Sequence, residues 1–418
     1  LKVKRAYKTE LKPNREQQNM LANHCGTARF AYNWGLARKF ESYQLTGKSP
    51  SAIDLHRELN ALKKSELPWL YEVSKCAPQE ALRDVDRAYN NFFRRVELKK
   101  QGKLKGKVGF PRFKSRRNGM GSFRLTGSIH VEECRVKLPR LGWVRLKESG
   151  YLPTESDTLH IMSATVSERA GRWFVALQVE EQKPEPVASS GPVVGIDLGV
   201  KTLAACSCGQ GEHLHYENPK ALYAGAQKLR RLQKKLSRQR RGSNRREKTK
   251  KKIARQHYRV SCIRSDAIHK ATSQIVAKAK PPSKTPRVVG IEDLNVSGMM
   301  KNHRLAKSVA DASMGEFRRQ IAYKCSWYGI ELVVVPCFEP TSKTCSACGW
   351  VKEDLTLSDR TFVCKACGHT ADRDDNAADN IRMLAASSAE RINGRGGDVR
   401  PLSSERQTPE KRQSECVA

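Results

Sequence analysis

Of the 13 cysteines in this 418-residue chain, four are regularly spaced. Cys345 and Cys348 form one C-x-x-C pair, Cys364 and Cys367 form another, and 15 residues separate the pairs. Two such knuckles can bring four thiolates tetrahedrally onto one zinc ion, and a closed site of that kind leaves no position for substrate, so its work is structural. Gly349 and Gly368 follow the pairs and permit the tight turn a knuckle needs. The other nine cysteines are scattered like small core residues. Neither pair has the thioredoxin-like surroundings of a redox couple.

Carboxylates form the second constellation. Asp197 ends the apolar run of "VVGIDLG", and Glu292 ends that of "RVVGIEDL". A third acid has to come from "ADRDDNAADNI", which offers Asp372, Asp374, Asp375 and Asp379. Three carboxylates at the edge of one sheet repel each other and require cations, and hard oxygen donors suit Mg²⁺ or Mn²⁺. Two such ions can clamp the attacking and leaving oxygens of a phosphodiester. "GIDLG" alone also fits the phosphate loop of an actin-like ATPase. That reading needs a second glycine-rich loop and an adenosine pocket, which "GIEDLN" and "DRDDNAA" do not supply. For Asp372, Asp375 and Asp379 the plainer role is an exposed acid or a helix N-cap.

These acids sit in a very basic chain, with 78 Lys+Arg against 43 Asp+Glu and a formal net charge of +35. Such an excess repels itself unless a polyanion neutralises it, which favours nucleic acid over a membrane surface. Between Lys228 and Arg255 stand 15 Lys/Arg and one acid, Glu247. Lys234, Lys235, Arg240 and Arg241 are therefore candidates for contact with a phosphate backbone, without sequence readout. No apolar run approaches the roughly 18 residues of a membrane span. The N-terminus has no apolar signal core, so the expected compartment is reducing, cytoplasmic and nucleoid-associated.

The elements that must position these groups follow from periodicity. Residues 12–105 read as helices, with Leu82, Val85, Tyr89, Phe92, Phe93 and Val96 recurring every three or four positions. Glycines and Pro111 then break the pattern, and alternating segments from about Gly109 to Glu181 read as an all-β module that the first strand, "VKRAYKTEL", can join. In "LHIMSATVSERAGRWFVALQVEE" the hairpin turn falls near Ala170 and Gly171. From Val193 onward strands alternate with helices, the mark of an α/β domain. In "DDNAADNI" a helix from about Asp374 carries small alanines that would let it pack close to a sheet.

In combination, "VVGIDLGVKTLAACS", "VVGIEDLNVSGMM" and "ADRDDNAADNI" resemble the three split motifs of a RuvC-like nuclease domain. "PTSKTCSACGW" with "VCKACG" resembles the zinc ribbon inserted before the third motif. "GTARFAYNWGLARK" and "GFPRFKSRR" resemble the N-terminal half of the same proteins. The chain thus resembles, over about residues 3–385, the TnpB family of transposon-encoded nucleases, relatives of type V CRISPR effectors. The resemblance implies a multidomain α+β and α/β protein: a wedge β-barrel (1–11 and 106–186), a helical recognition insertion (12–105) and a linker (187–190). It further implies an RNase H-like RuvC domain (191–341 and 371–388), a zinc ribbon (342–370) and a disordered tail (389–418). The family pattern D-x-N-A-A selects Asp374 over Asp375, so the implied catalytic, metal-holding acids are Asp197, Glu292 and Asp374. The implied cofactors are two Mg²⁺ or Mn²⁺ ions at the acids and one structural Zn²⁺. The implied partners are a guide RNA from the transposon end and target double-stranded DNA, cut beside a short transposon-associated motif in a bacterial cell; no membrane partner or protein oligomer is expected. Lys75, Gln79, Arg112 and Lys114 are further candidates for nucleic-acid contact. A guided binder that does not cut is the alternative, and intact acids at all three positions argue against it.

Overall fold

The structure, a computed structural model, describes residues 2–104, 106–186, 189–209, 211–276, 285–337, 339–356 and 359–393. Two compact units emerge: residues 1–184 with 232–258, and residues 185–231 with 259–418.

In the first unit, β1 (Lys2–Lys12) leads into α1 (Arg15–Thr46), α2 (Ala52–Ser65) and α3 (Cys76–Lys100). Asn14 starts α1 with a capping box shared with Gln17, and Gly47 ends it at φ 70°. Six strands follow: β2 (Ser122–Leu125), β3 (His130–Val131), β4 (Arg135–Leu138), β5 (Gly142–Leu146), β6 (Leu159–Arg169) and β7 (Arg172–Gln182). They join β1 in one seven-stranded sheet of order β2-β6-β7-β1-β5-β4-β3. Ala170 and Gly171, at φ 58° and 77°, make the two-residue turn between β6 and β7. Leu125, Val144, Val166 and Leu177 of the sheet share one core with Leu21, Leu55, Leu82 and Val85 of the helices. The ladder is open among the described residues, with β2 and β3 as its edges, where the sequence reading expects a barrel.

The second unit holds β8 (Val193–Asp197), β9 (Thr202–Gly209), β10 (Glu212–Glu217), α4 (Ala221–Ser237, up to Arg231) and α5 (Asn244–Ile275, from Arg259). It continues with β11 (Val288–Glu292), α6 (Val296–Met299), α7 (Ala306–Ala312), α8 (Met314–Tyr328), β12 (Glu331–Val335), β13 (Thr361–Val363), β14 (Thr370–Asp372) and α9 (Arg373–Asn393). Its main sheet runs β10-β9-β8-β11-β12, with β8, β11 and β12 parallel. On one face Val194, Ile196, Val289 and Ile291 pack with Ile268, Ile275, Phe317 and Ile321. On the other face, Val193 and Val288 pack with Ala385 and Ala389 of α9.

Two expected boundaries shift. Residues 232–258, counted by sequence with the nuclease segment, belong to the first unit, where Tyr258 packs tilted against Phe174 at 5.4 Å and receives Arg169 and Arg172 on its ring. The expected tail from residue 389 begins too early, because α9 continues to Asn393 and Ala389 is buried in the core. Residues 394–418 lie outside the described residues, as do Val187 and Ala188 of the expected linker.

Candidate active site and cysteine centre

Strand register builds the acid site. Gly290 lies beside Gly195 and Ile291 beside Ile196, so Asp197 and Glu292 end neighbouring parallel strands at the same level. Side chains alternate along a strand, so each acid faces the same way as the glycine two residues before it. That face carries α9. A Cβ on Gly195 would stand 2.2 Å from Ala378 O, and one on Gly290 2.7 Å from Ala385 Cβ. The glycine pair is thus a trough that admits the helix backbone, aided by the fully buried Ala377 and Ala378. One helical turn before Ala378 is Asp374, level with the two strand-end acids.

The electrostatics report the same convergence. The Asp197 carboxyl is pushed up to about 8, first by loss of water around it, then by the negative charges of Glu292 and Asp374; Arg373 partly offsets this. A proton or a cation on Asp197 relieves that burial and repulsion. Thr341 Oγ1 donates to Glu292 Oε1. Arg373 Nε lies 3.9 Å from Asp374 Oδ1, and its Nη1 donates to the carbonyls of Thr356 and Asp359. Sequence reasoning passed over both Thr341 and Arg373. Neither carries a spacing signal, because each reaches the site through a fold contact.

The remaining aspartates of the cluster do other work. Asp372 Oδ1 accepts from Asp374 N at 2.8 Å and caps α9. Asp375 pairs with His215 at 2.7 Å, and Asp379 accepts from Ser207 at 2.5 Å and meets His213 at 3.2 Å. Asp375 and Asp379, one turn apart on α9, therefore bind β9 and the edge strand β10. Only Asp374 is coupled to Asp197.

At the cysteine centre, the four Sγ atoms lie within 4.8 Å of one another. Cys345–Cys367 and Cys348–Cys364 are separated by 3.7 and 3.5 Å. A tetrahedron with zinc–sulfur bonds of about 2.3 Å has edges of about 3.8 Å, so the spacing suits that ion. Each knuckle closes by a bond from its glycine, Gly349 N to Cys345 O and Gly368 N to Cys364 O, with both glycines at positive φ. Asn376 and Asn380 of α9 donate to Thr344 O at 2.7 Å each, tying the first knuckle to the helix that bears Asp374.

The basic candidates all fall in the first unit. Lys234, Lys235, Arg240 and Arg241 are exposed at the end of α4 and in the turn after it. Lys75 is exposed just before α3 and Gln79 is half-buried one turn later. Arg112 is exposed. Lys114 is already engaged: its ammonium sits 3.9 Å from the Tyr32 ring centroid, and its backbone exchanges two hydrogen bonds with Asn33. Among the described residues, no helix is long and apolar enough to cross a membrane.

Fold and sites together define a mixed α/β multidomain protein with a Cys₄ ribbon set directly ahead of an acid-bearing helix. Residues 176–303 match OrfB_IS605, described as "Probable transposase", and residues 315–381 match the "Cas12f1-like, TNB domain". Residues 3–48 match a "Helix-turn-helix domain", although here they fold as β1 and one continuous helix. A Streptomyces pristinaespiralis protein named "Putative RNA-guided DNA endonuclease" is 35% identical over 410 residues, covering 96% of this chain and 92% of the relative. "Putative RNA-guided DNA endonuclease InsQ" of Escherichia coli (strain K12) is 33% identical over 407 residues, covering 93% and 94%. The solved "mini-RNA-guided endonuclease CRISPR-Cas_phi3" aligns with a TM-score of 0.47 at 10% identity, covering 92% of each chain. The chain belongs to the OrfB/TnpB family of insertion-sequence proteins.

Proposed function

We propose that this chain is an RNA-guided, divalent-metal-dependent DNA endonuclease that hydrolyses phosphodiesters at Asp197, Glu292 and Asp374. The observation that carries the reading is the convergence of three carboxylates on one face of a parallel strand pair, with Asp197 pushed up to about 8. Oxygen donors that repel this strongly suit hard divalent cations. Asp197, Glu292 and Asp374 would hold two Mg²⁺ or Mn²⁺ ions, which would supply an activated water and neutralise charge developing on the phosphate. The protein's own part is positional. Thr341 fixes the Glu292 carboxylate, the glycine trough sets the depth of Asp374, and Arg373 moderates the local negative charge. In this reading the second unit is the RuvC-like nuclease, with one structural Zn²⁺ held by Cys345, Cys348, Cys364 and Cys367. The seven-stranded sheet is the wedge module and α1–α3 the recognition insertion.

The relatives' names speak of RNA guidance and of DNA; this reading adds that the guide comes from the transposon end and that the target is double-stranded DNA cut beside a short transposon-associated motif. In this reading Lys234, Lys235, Arg240 and Arg241 hold phosphates, and Lys75, Gln79 and Arg112 are the candidates for reading the motif. Lys114 orders its loop through Tyr32 and Asn33.

The test is cleavage of a plasmid matched to the sequenced, copurified RNA, in Mg²⁺, beside a gel shift of the same target. Asp197→Ala, Glu292→Ala and Asp374→Ala should each reduce cutting to background and leave the shift largely intact, because binding rests on base pairing and dispersed cations. Asp375→Ala should keep much more activity, since its partner is His215. Cutting by all four at the parent's rate would end the endonuclease reading.

A further inference from the structure

Beside Glu292 lies a cleft of about 460 Å³, within the range of small-ligand sites. Leu198, Leu294, Val296 and Met314 make an apolar floor, Glu292 stands in the lining, and Arg318 lines the same cleft. Leu198 and Met314 are buried, so the floor is anchored in the core. Arg318 is held by Asp293.

Gly315 is the informative residue. It occupies the first turn of α8, where alanine would favour the helix by about 1 kcal/mol. A Cβ there would meet nothing within 4 Å. Neither packing nor backbone conformation requires the glycine, which is exposed and lines the cleft.

We propose that this cleft is a nucleobase subsite for the DNA nucleotide that flanks the scissile phosphate, a proposal that rests on the endonuclease reading above. The base lies on the apolar floor, where the half-buried Leu294 and Val296 can meet its face. Arg318 exchanges Asp293 for a neighbouring phosphate. The adjoining phosphate would thereby lie beside the divalent cation that Glu292 would help to hold. Apolar contact of this kind accepts any base, so the subsite sets where the strand is cut rather than which sequence is cut.

The experiment uses the full chain with its copurified RNA and a matched duplex. In an Asp374→Ala background, which leaves the strand uncut, 2-aminopurine is placed in turn at each nucleotide around the cut. One position should change fluorescence, and Gly315→Leu should abolish that change. In the cutting protein, an abasic residue at that position should slow cleavage about tenfold, as loss of one base's apolar contact predicts. Gly315→Leu should slow the intact target by a similar factor, with unchanged melting temperature and target binding. Combined with the abasic residue it should slow cleavage no further. A flat fluorescence scan in a complex that binds its target, or fully additive slowing, overturns the subsite. A parent complex that binds without cutting overturns the endonuclease reading alone, and the fluorescence scan then still decides whether the cleft takes a base.

Discussion

The cysteine centre and the carboxylate centre lie on the same helix's approach, yet they are assembled in opposite ways. Each pair of thiols is placed by a knuckle of a few residues, closed by its own glycine bond. Only the meeting of two short segments has to be arranged by the fold. The carboxylates come from residues 197, 292 and 374, on two strands and one helix, and the charges of Glu292 and Asp374 act against the ionised form of Asp197. One centre is mostly local geometry; the other is tertiary packing imposed against electrostatics. Asn376 and Asn380 couple them, because both hold the first knuckle against α9.

The largest effect should come from breaking the local centre. Cys364→Ser should lower zinc content well below one ion per chain and sharply reduce thermal stability, because metal binding to such a ribbon is folding free energy. Exposed Cys134→Ser should do neither. Metal analysis of the two purified proteins, with melting curves, checks this; equal zinc in both would remove the centre's assignment.

A smaller effect should come from closing the trough. Gly195→Ala forces a methyl to within 2.2 Å of a backbone oxygen, where nothing flexible can yield. It should cost about 3 kcal/mol in urea unfolding and displace Asp374, so cleavage falls too. Gly290→Ala meets a side-chain carbon at 2.7 Å and should cost less, about 1–2 kcal/mol. Equal costs would mean that α9 is free to slide over β8.

The smallest effect sharpens the electrostatic half of the comparison. The Asp197 carboxyl sits at about 8, above its ordinary value of 3.8. Between those values the folded, metal-free protein binds more protons than the unfolded chain, so its stability should fall as pH rises through that window. Asp197→Asn removes the charge and should flatten the slope, raising the metal-free melting temperature at pH 8. Mg²⁺ should flatten the parent's slope as well. Parallel pH profiles for parent and variant without metal would show that Asp197 is not held above its ordinary value.

Legibility in the sequence followed the same division. The C-x-x-C pairs, the strands ending in Asp197 and Glu292 and the helix beginning near Asp374 are visible, because each is a pattern within about ten residues. The repeated V-V-G-I-acid segment was also on view, yet its glycines mean little until strand register sets Gly195 beside Gly290. The place of residues 232–258 was not legible, because Tyr258 finds Phe174 across 84 positions of sequence.

By itself, the sequence determined the chemistry on offer: soft thiolates at knuckle spacing, hard carboxylates at strand ends, and a cationic excess that calls for a polyanion. Tertiary structure decided which members of each set act together. It gave Asp375 to His215 and Asp379 to Ser207 and His213, leaving Asp374 to face Asp197. The physical reason is helical geometry. Adjacent residues on α9 point about 100° apart, so once the glycine trough fixed the helix's depth and rotation, only one aspartate of its first turn could reach the strand ends.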